Sequence, residues 1–287
     1  SKADLVKILT VLMLIVISYT FGGFFLTYLY GQIPIGQLSG DYINTVRNFY
    51  GNNIALIAII LPWVTAFLGA ILGTRYILKW PVPKLFTTER KINYRKIAFA
   101  GGLWFLINTI VLVFFSKGLV WNFRWEDFLL LFIISITLIA IQCVAEELLF
   151  RSFLVKLLGA YISHGWLVAL LTGLLFGALH VSNPEMEALG NLAMIYYVSA
   201  GLILGFIVIV DNGIEITTGF HIANNLSAAL LVTTNWQVFR TDAIFVDESA
   251  PTMDGATIAV LFISLGVFVI LIGKKYNFKK GLYRLGK

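Results

Sequence analysis

An almost wholly apolar run, Leu129–Val144, leads without a break into Glu146-Glu147-Leu148-Leu149-Phe150-Arg151 and on into Phe153-Leu154-Val155. About 20 apolar residues suffice for a helix to cross the ~30 Å hydrocarbon core of a bilayer. An ionisable side chain within such a segment costs several kcal/mol by most estimates and marks a candidate functional site. Two carboxylates and a guanidinium in one segment therefore restrict the fold sharply. The helix must turn that face to protein, not to lipid.

On a helix Glu147 and Arg151 are four residues apart and share a face, so each can neutralise the other. Glu146 lies about 100° round from Glu147 and is left without a partner at that spacing. Two readings follow: Glu146 is a general base held in a desolvated setting, or the triplet is a structural Glu–Arg clamp between helices.

The rest of the chain has the same character. Hydrophobic residues make up 59% and charged residues 13%, with a mean hydropathy of +0.88; soluble globular proteins carry about 25% charged residues. The fold class expected is an all-α polytopic membrane protein. Apolar runs place eight spans at 5–30, 54–78, 97–116, 127–158, 166–182, 192–210, 214–233 and 256–273. The first is too long for a signal-peptide core and is read as retained. Residues 1–126 form an N-terminal three-helix region, 127–233 a core of helices four to seven, and 234–287 an outer loop, last helix and basic tail, all within one membrane domain.

Of the 21 Lys and Arg residues, the sequence assigns seventeen to one side, including Arg151, Lys156 and the tail from Lys274 to Lys287. Arg47, Lys117, Arg124 and Arg240 fall on the other. By the positive-inside rule both termini are cytoplasmic. The formal charge of +6 thus reflects topology and contact with the lipid bilayer; no nucleic-acid-binding motif accompanies it. A single cysteine, Cys143, rules out an intramolecular disulfide and Cys-based zinc sites. Gly69/Gly73, Gly173/Gly177 and Gly201/Gly205 have the spacing that lets membrane helices approach closely.

Two more spans carry polar groups at helical spacing: Phe176 with His180, and His221 with Asn225. At 1.5 Å per residue from the cytoplasmic turns, Glu146 and Glu147 lie about 17–18 Å deep, His180 about 21 Å, and His221 and Asn225 about 12 and 18 Å. Overlapping depths on three helices point to one site. Glu146 can take a proton from water with His180 holding that water, and His221 and Asn225 can donate to the oxyanion of a tetrahedral intermediate. Glu146, His180 and His221 also form a two-His, one-carboxylate set that could hold zinc. Against zinc, there is no His-Glu-x-x-His helix.

Glu146-Glu147-x-x-x-Arg151, Phe176-x-x-x-His180 and His221-x-x-x-Asn225, in that order, resemble the three motifs of the CPBP family, the type II CAAX prenyl endopeptidases and the bacteriocin-processing or Abi-like proteins. The resemblance covers about residues 127–233. It implies an intramembrane glutamate-dependent protease needing no cofactor: Glu146 the base, His180 its partner, His221 with Asn225 the oxyanion hole, Glu147 and Arg151 in support. It implies a lipidated or membrane-anchored peptide or protein as substrate, and a multi-pass protein of a prokaryotic plasma membrane.

Competing readings are a metal-dependent membrane protease, a non-catalytic scaffold or immunity protein, and a proton-coupled transporter. The last has no visible inverted repeat to support it. Among other polar residues, His164 reads as a solvated turn residue, Gln142 as a group one turn before Glu146 able to orient it, and Asp211 and Glu215 as facing cytoplasmic water.

Overall fold

A computed structural model describes residues 2–116 and 118–286. Ser1, Lys117 and Lys287 lie outside the described residues, so the expected placements of Lys117 and Lys287 have no structural counterpart.

The chain opens with α1 (Lys2–Gly31), a short amphipathic α2 (Tyr42–Tyr50) and α3 (Asn52–Gly73), which runs on as a π-helical turn through Thr74–Leu78. Asp41 caps α2 by accepting from Asn44 N at 2.9 Å, satisfying one of the donors that a helix start leaves unpaired. A four-residue turn, α4 (Pro83–Phe86), leads to α5 (Tyr94–Phe115) and a short strand β1 (Leu119–Trp121). The polar-centred span follows as α6 (Trp125–Ile134), α7 (Ala140–Glu147) and α8 (Leu154–Gly159), joined by π-helical turns at Ser135–Ile139 and Leu148–Phe153. Then come α9 (Gly165–Ala178), α10 (Pro184–Leu189), α11 (Ala193–Asp211) and α12 (Glu215–Leu230). Strands β2 (Val232–Thr233) and β3 (Phe245–Asp247) precede α13 (Gly255–Tyr276).

Among the described residues, six segments are long and apolar enough to cross a membrane: 4–31, 52–78, 94–115, 125–159, 184–211 and 255–276. The protein is an integral, multi-pass, all-α membrane protein. The expected fifth and seventh spans are shorter in the structure than in the sequence reading. They form helices of 14 and 16 residues, about 21 and 24 Å long, shorter than the hydrocarbon core.

Helices pair where glycines allow backbones to touch. A Cβ built on Gly201 would lie 2.6 Å from Gly173 O, so α9 and α11 cross at their glycines. The expected pairs Gly69/Gly73, Gly173/Gly177 and Gly201/Gly205 all sit at close helix contacts, Gly73 against the side chain of Val11 and Gly177 against that of Val198. One crossing escaped the sequence reading. A Cβ on Gly219 would meet Ile97 O at 2.2 Å and Gly101 N at 2.9 Å, so α5 lies directly on α12.

Of four apolar clusters among the described residues, three hold the main bundle: Trp104, Leu204, Phe220 and Phe268 around α5, α11, α12 and α13; Val11, Ala66, Leu148 and Phe153 around α1, α3 and the polar-centred span; and Ile60, Leu131, Ile139 and Ala229 around α3, α6 and α12. The strands form a small sheet in the order β1-β3-β2, antiparallel between β1 and β3 and parallel between β3 and β2. It closes the end of the bundle where α5 finishes and α6 begins.

Asp211 and Glu215 do not face water, as the sequence suggested. Lys96 Nζ bonds both Asp211 oxygens at 2.8 Å, and Glu215, 1% exposed, accepts from Asn93 N at 3.3 Å. Together with Ile214 N on Phe86 O at 2.7 Å, they tie the connection before α5 to the turn between α11 and α12. The Asp211 charge is met by Lys96 across that connection, which no helical periodicity could reveal.

Candidate active site

Glu146 ends α7 beside Glu147, and both carboxylates are buried, at 4% and 0% exposure. The helix widens to π geometry immediately afterwards, over Leu148–Phe153; such bulges recur at functional sites. Arg151 lies within that bulge, 1% exposed, with Nη1 3.5 Å from Glu147 Oε1. Its guanidinium also stacks over the Phe176 ring, 4.1 Å from the centroid, so α9 covers the charge that α7 carries. Arg151 is therefore a buried partner in the core and not a residue of the cytoplasmic connection.

The expectation that Glu146 has no partner is corrected. Gln142 Nε2 donates to Glu146 Oε1 at 2.8 Å, the i, i+4 relation that the sequence held open. His221 Nε2 lies 3.8 Å from Glu146 Oε2. The other ring nitrogen, Nδ1, is 3.0 Å from Glu147 Oε1, so the same oxygen receives both His221 and Arg151. His221 thus stands between the two carboxylates, one on each nitrogen. Since the carboxylate accepts, Nδ1 carries its hydrogen toward Glu147 and Nε2 is the nitrogen left toward Glu146.

His180 lies just beyond the end of α9, in a tight last turn where its N bonds Gly177 O at 2.9 Å. Its Nδ1 is 2.8 Å from Phe176 O. A carbonyl only accepts, so Nδ1–H is the donor and Nε2 keeps its lone pair. The ring stacks on Tyr197 of α11, 4.3 Å between centroids at 23°. Phe176 touches both imidazoles, with centroids 4.6 Å from His180 and 5.9 Å from His221. Among the described residues no group of three or more His, Cys, Asp or Glu side chains is arranged to hold a metal ion. Both imidazoles engage Nδ1 with another acceptor, an arrangement that leaves Nε2 as the ring nitrogen open to a ligand.

Asn225 lies one turn after His221 on α12, and its Oδ1 accepts from Asn224 Nδ2 at 3.3 Å. Asn224 in turn accepts at Oδ1 from Tyr196 OH at 2.8 Å and Trp104 Nε1 at 3.2 Å. Cys143 is buried, with Sγ 3.6 Å from His221 O.

Glu146, His180, His221, Asn225 and Gln142 line a single cavity of about 580 Å³. That volume is ordinary for a small-molecule or peptide side-chain site. Tyr19 of α1 and Trp63 of α3, ring centroids 5.0 Å apart, form its opposite wall with Ile15 and Ile60. Val238 and Phe239, from the loop before β3, also line it. Glu185 of α10 holds that loop by accepting from Val238 N at 2.9 Å. No motif announced Tyr19, Trp63, Asn224 or Tyr197. The only trace of Asn224 is its position beside Asn225 in an otherwise apolar helix.

The fold and cavity define a multi-pass membrane protein with a carboxylate–imidazole centre buried among its helices. Residues 125–227 match the family described as type II CAAX prenyl endopeptidase, Rce1-like. The chain is also 33% identical over 182 residues to an uncharacterized protein, YyaK, of Bacillus subtilis (strain 168). That match covers 62% of this chain and 61% of the relative's length. No solved structure matches the chain.

Proposed function

We propose that the protein is an intramembrane endopeptidase that hydrolyses a peptide bond near a membrane anchor with a water activated by Glu146. The carrying observation is that three helices turn Glu146, His180, His221 and Asn225 into one cavity, with His221 Nε2 3.8 Å from Glu146 Oε2. Glu146 takes a proton from the attacking water, and Gln142 keeps one carboxylate oxygen fixed so that the other faces the reaction. His180, with its Nε2 lone pair facing away from Phe176 O, accepts a hydrogen bond from that water. The bond from water oxygen to the carbonyl carbon forms as the proton passes to Glu146. The proton is then delivered to the leaving amine as the C–N bond breaks.

Asn225 supplies N–H donors to the tetrahedral oxyanion, and His221 joins it through Nε2 in the form that carries hydrogen on both ring nitrogens. One such donor contributes roughly 10²–10³ to the rate in known hydrolases. Glu147, fixed by Arg151, holds the His221 ring by Nδ1 and so sets where Nε2 points. No step requires a cofactor. The closeness of Nε2 to Glu146 favours a second reading in which His221, not His180, shares the water with Glu146.

The apolar wall from α1 and α3 suits a substrate with a lipidated or apolar segment beside the cleaved bond. The proposed setting is a prokaryotic plasma membrane with eight crossings and both termini cytoplasmic, supported by the Lys and Arg asymmetry.

The test uses purified protein with two fluorogenic peptides, identical except that one carries a farnesylated Cys three residues before its C-terminus. Glu146→Gln should abolish cleavage while thermal unfolding and elution volume stay unchanged, and chelator should have no effect. Cleavage surviving Glu146→Gln would overturn the role of Glu146. Loss of cleavage on chelation would favour a metal enzyme. Retention of a peptide-binding phenotype without any cleavage by the native protein would favour a scaffold.

A further inference from the structure

An asparagine amide presents an acceptor at one end and donors at the other, and which end faces a site is decided by its hydrogen-bond partners. For Asn225 the deciding partner lies far away in sequence. Trp104, on α5, is an indole, whose Nε1–H can only donate. It is 2% exposed and held by ring contacts to Phe220 at 4.2 Å and Phe268 at 5.5 Å. The atom of Asn224 that lies 3.2 Å from this N–H has to be the oxygen. Reversing the Asn224 amide would set two donors against each other.

With Oδ1 committed to Trp104 and to Tyr196 OH at 2.8 Å, Asn224 Nδ2 is the end left toward Asn225, and it donates to Asn225 Oδ1 at 3.3 Å. The acceptor of Asn225 is thereby occupied by its neighbour. What remains to serve the cavity is its NH2 group, the end an oxyanion needs.

We propose that Trp104 and Asn224 are positioning residues that set the polarity of the Asn225 amide, so that it presents donors to the reacting carbonyl oxygen. This rests on the oxyanion role proposed for Asn225. Each link is a donor feeding an acceptor, and the sense of the whole chain is set by the one member that has no acceptor. α5 lies outside the segment 125–227 that matches the family, so the N-terminal region contributes to the site more than a wall. The direct contact of α5 with α12 at Gly101 and Gly219 brings the indole within reach.

The test compares Trp104→Phe, which keeps an aromatic ring against Phe220 and Phe268 but removes the N–H, with the native protein in two measurements. The first is NMR of the side-chain amides in detergent-solubilised protein labelled with ¹⁵N-asparagine, assigned with Asn224→Asp and Asn225→Ala. The expected result is that Trp104→Phe shifts the Asn224 and Asn225 NH2 signals together. A shift confined to Asn224 would overturn the proposal.

The second is cleavage of the farnesylated peptide. Trp104→Phe should lower kcat about tenfold with KM unchanged. In an Asn225→Ala background it should change kcat by less than about twofold, because the group it positions is gone. An equal loss in both backgrounds would show a merely structural tryptophan. If the native protein cleaves neither peptide, or if Asn225→Ala leaves kcat intact, the proteolytic reading or the oxyanion role has failed, and the NMR result alone decides the relay.

Discussion

The imidazole of His221 is held by Glu147, with Nδ1 3.0 Å from Oε1, and Arg151 reaches the same oxygen at 3.5 Å. One fully buried carboxylate thus anchors a helix-borne imidazole on α12 and a guanidinium in the π bulge that follows α7. Removing it would leave a buried cation uncompensated and a ring without its tether.

Glu147→Gln should therefore destabilise the protein by about 3–5 kcal/mol, the range seen when one member of a buried ion pair is lost. Replacing both Glu147 and Arg151 by Gln and Met should restore much of that stability but not the cleavage activity, because the His221 ring loses its anchor. Unfolding by SDS in mixed micelles, followed by tryptophan fluorescence, measures the first effect. Peptide cleavage measures the second.

Gln142→Leu removes the donor on Glu146 Oε1 while keeping the volume of the side chain. A single side-chain hydrogen bond contributes about 0.5–1.5 kcal/mol net, rising to about 1.5–3 kcal/mol with a charged partner. Stability should shift by no more than the upper value, whereas kcat should fall about tenfold as the carboxylate loses its fixed orientation. Unchanged kcat would show that Gln142 is packing only.

The contact between α5 and α12 can be tested at its two glycines. Gly219→Ala puts a methyl 2.2 Å from Ile97 O, against backbone that cannot turn away. Overpacking of this kind costs about 1–3 kcal/mol, and the helix carrying His221 two residues later would be displaced. Gly102→Ala is the control, since nothing lies within 4 Å of its added carbon. It should be neutral or slightly stabilising through helix propensity. Thermal unfolding and cleavage by both variants give the comparison.

Asp242 ties the outer loop to the bundle. Asn52 Nδ2 donates to its Oδ1 at 2.7 Å, Asn53 Nδ2 lies 3.5 Å from Oδ2, and Arg124 Nη2 is 3.5 Å away. Asp242→Ala should cost about 1–3 kcal/mol, the cost of leaving buried donors without partners. It should also release the loop that carries Val238 and Phe239. Limited proteolysis should then cut between residues 234 and 244 much faster than in the native protein.

The sequence disclosed the membrane character, the ionisable centre and four of the polar residues that line the cavity, Glu146, His180, His221 and Asn225, because a polar group within an apolar run is conspicuous whatever the fold. Gln142 could be suspected from its i, i+4 relation to Glu146. Trp104, Tyr19 and Trp63 could not, because an aromatic ring in an apolar helix looks the same whether it meets lipid, another helix or a cavity. The partner of His221 was equally hidden. Spacing within one helix paired Glu147 with Arg151, but only the crossing of α7 and α12 showed that His221 claims the same oxygen. The short sheet also escaped, since strands of two or three residues leave no periodicity to read.

The brevity of α9 has a consequence for the lipid around it, whereas α12, with no exposed residue, meets none. A helix of about 21 Å that shows Leu174 and Leu175 at the surface falls short of a ~30 Å hydrocarbon layer, and a bilayer meeting too short a protein surface thins locally to follow it. Thinning on that flank brings the water boundary nearer to His180, just past the end of the helix, than a full-length span would allow.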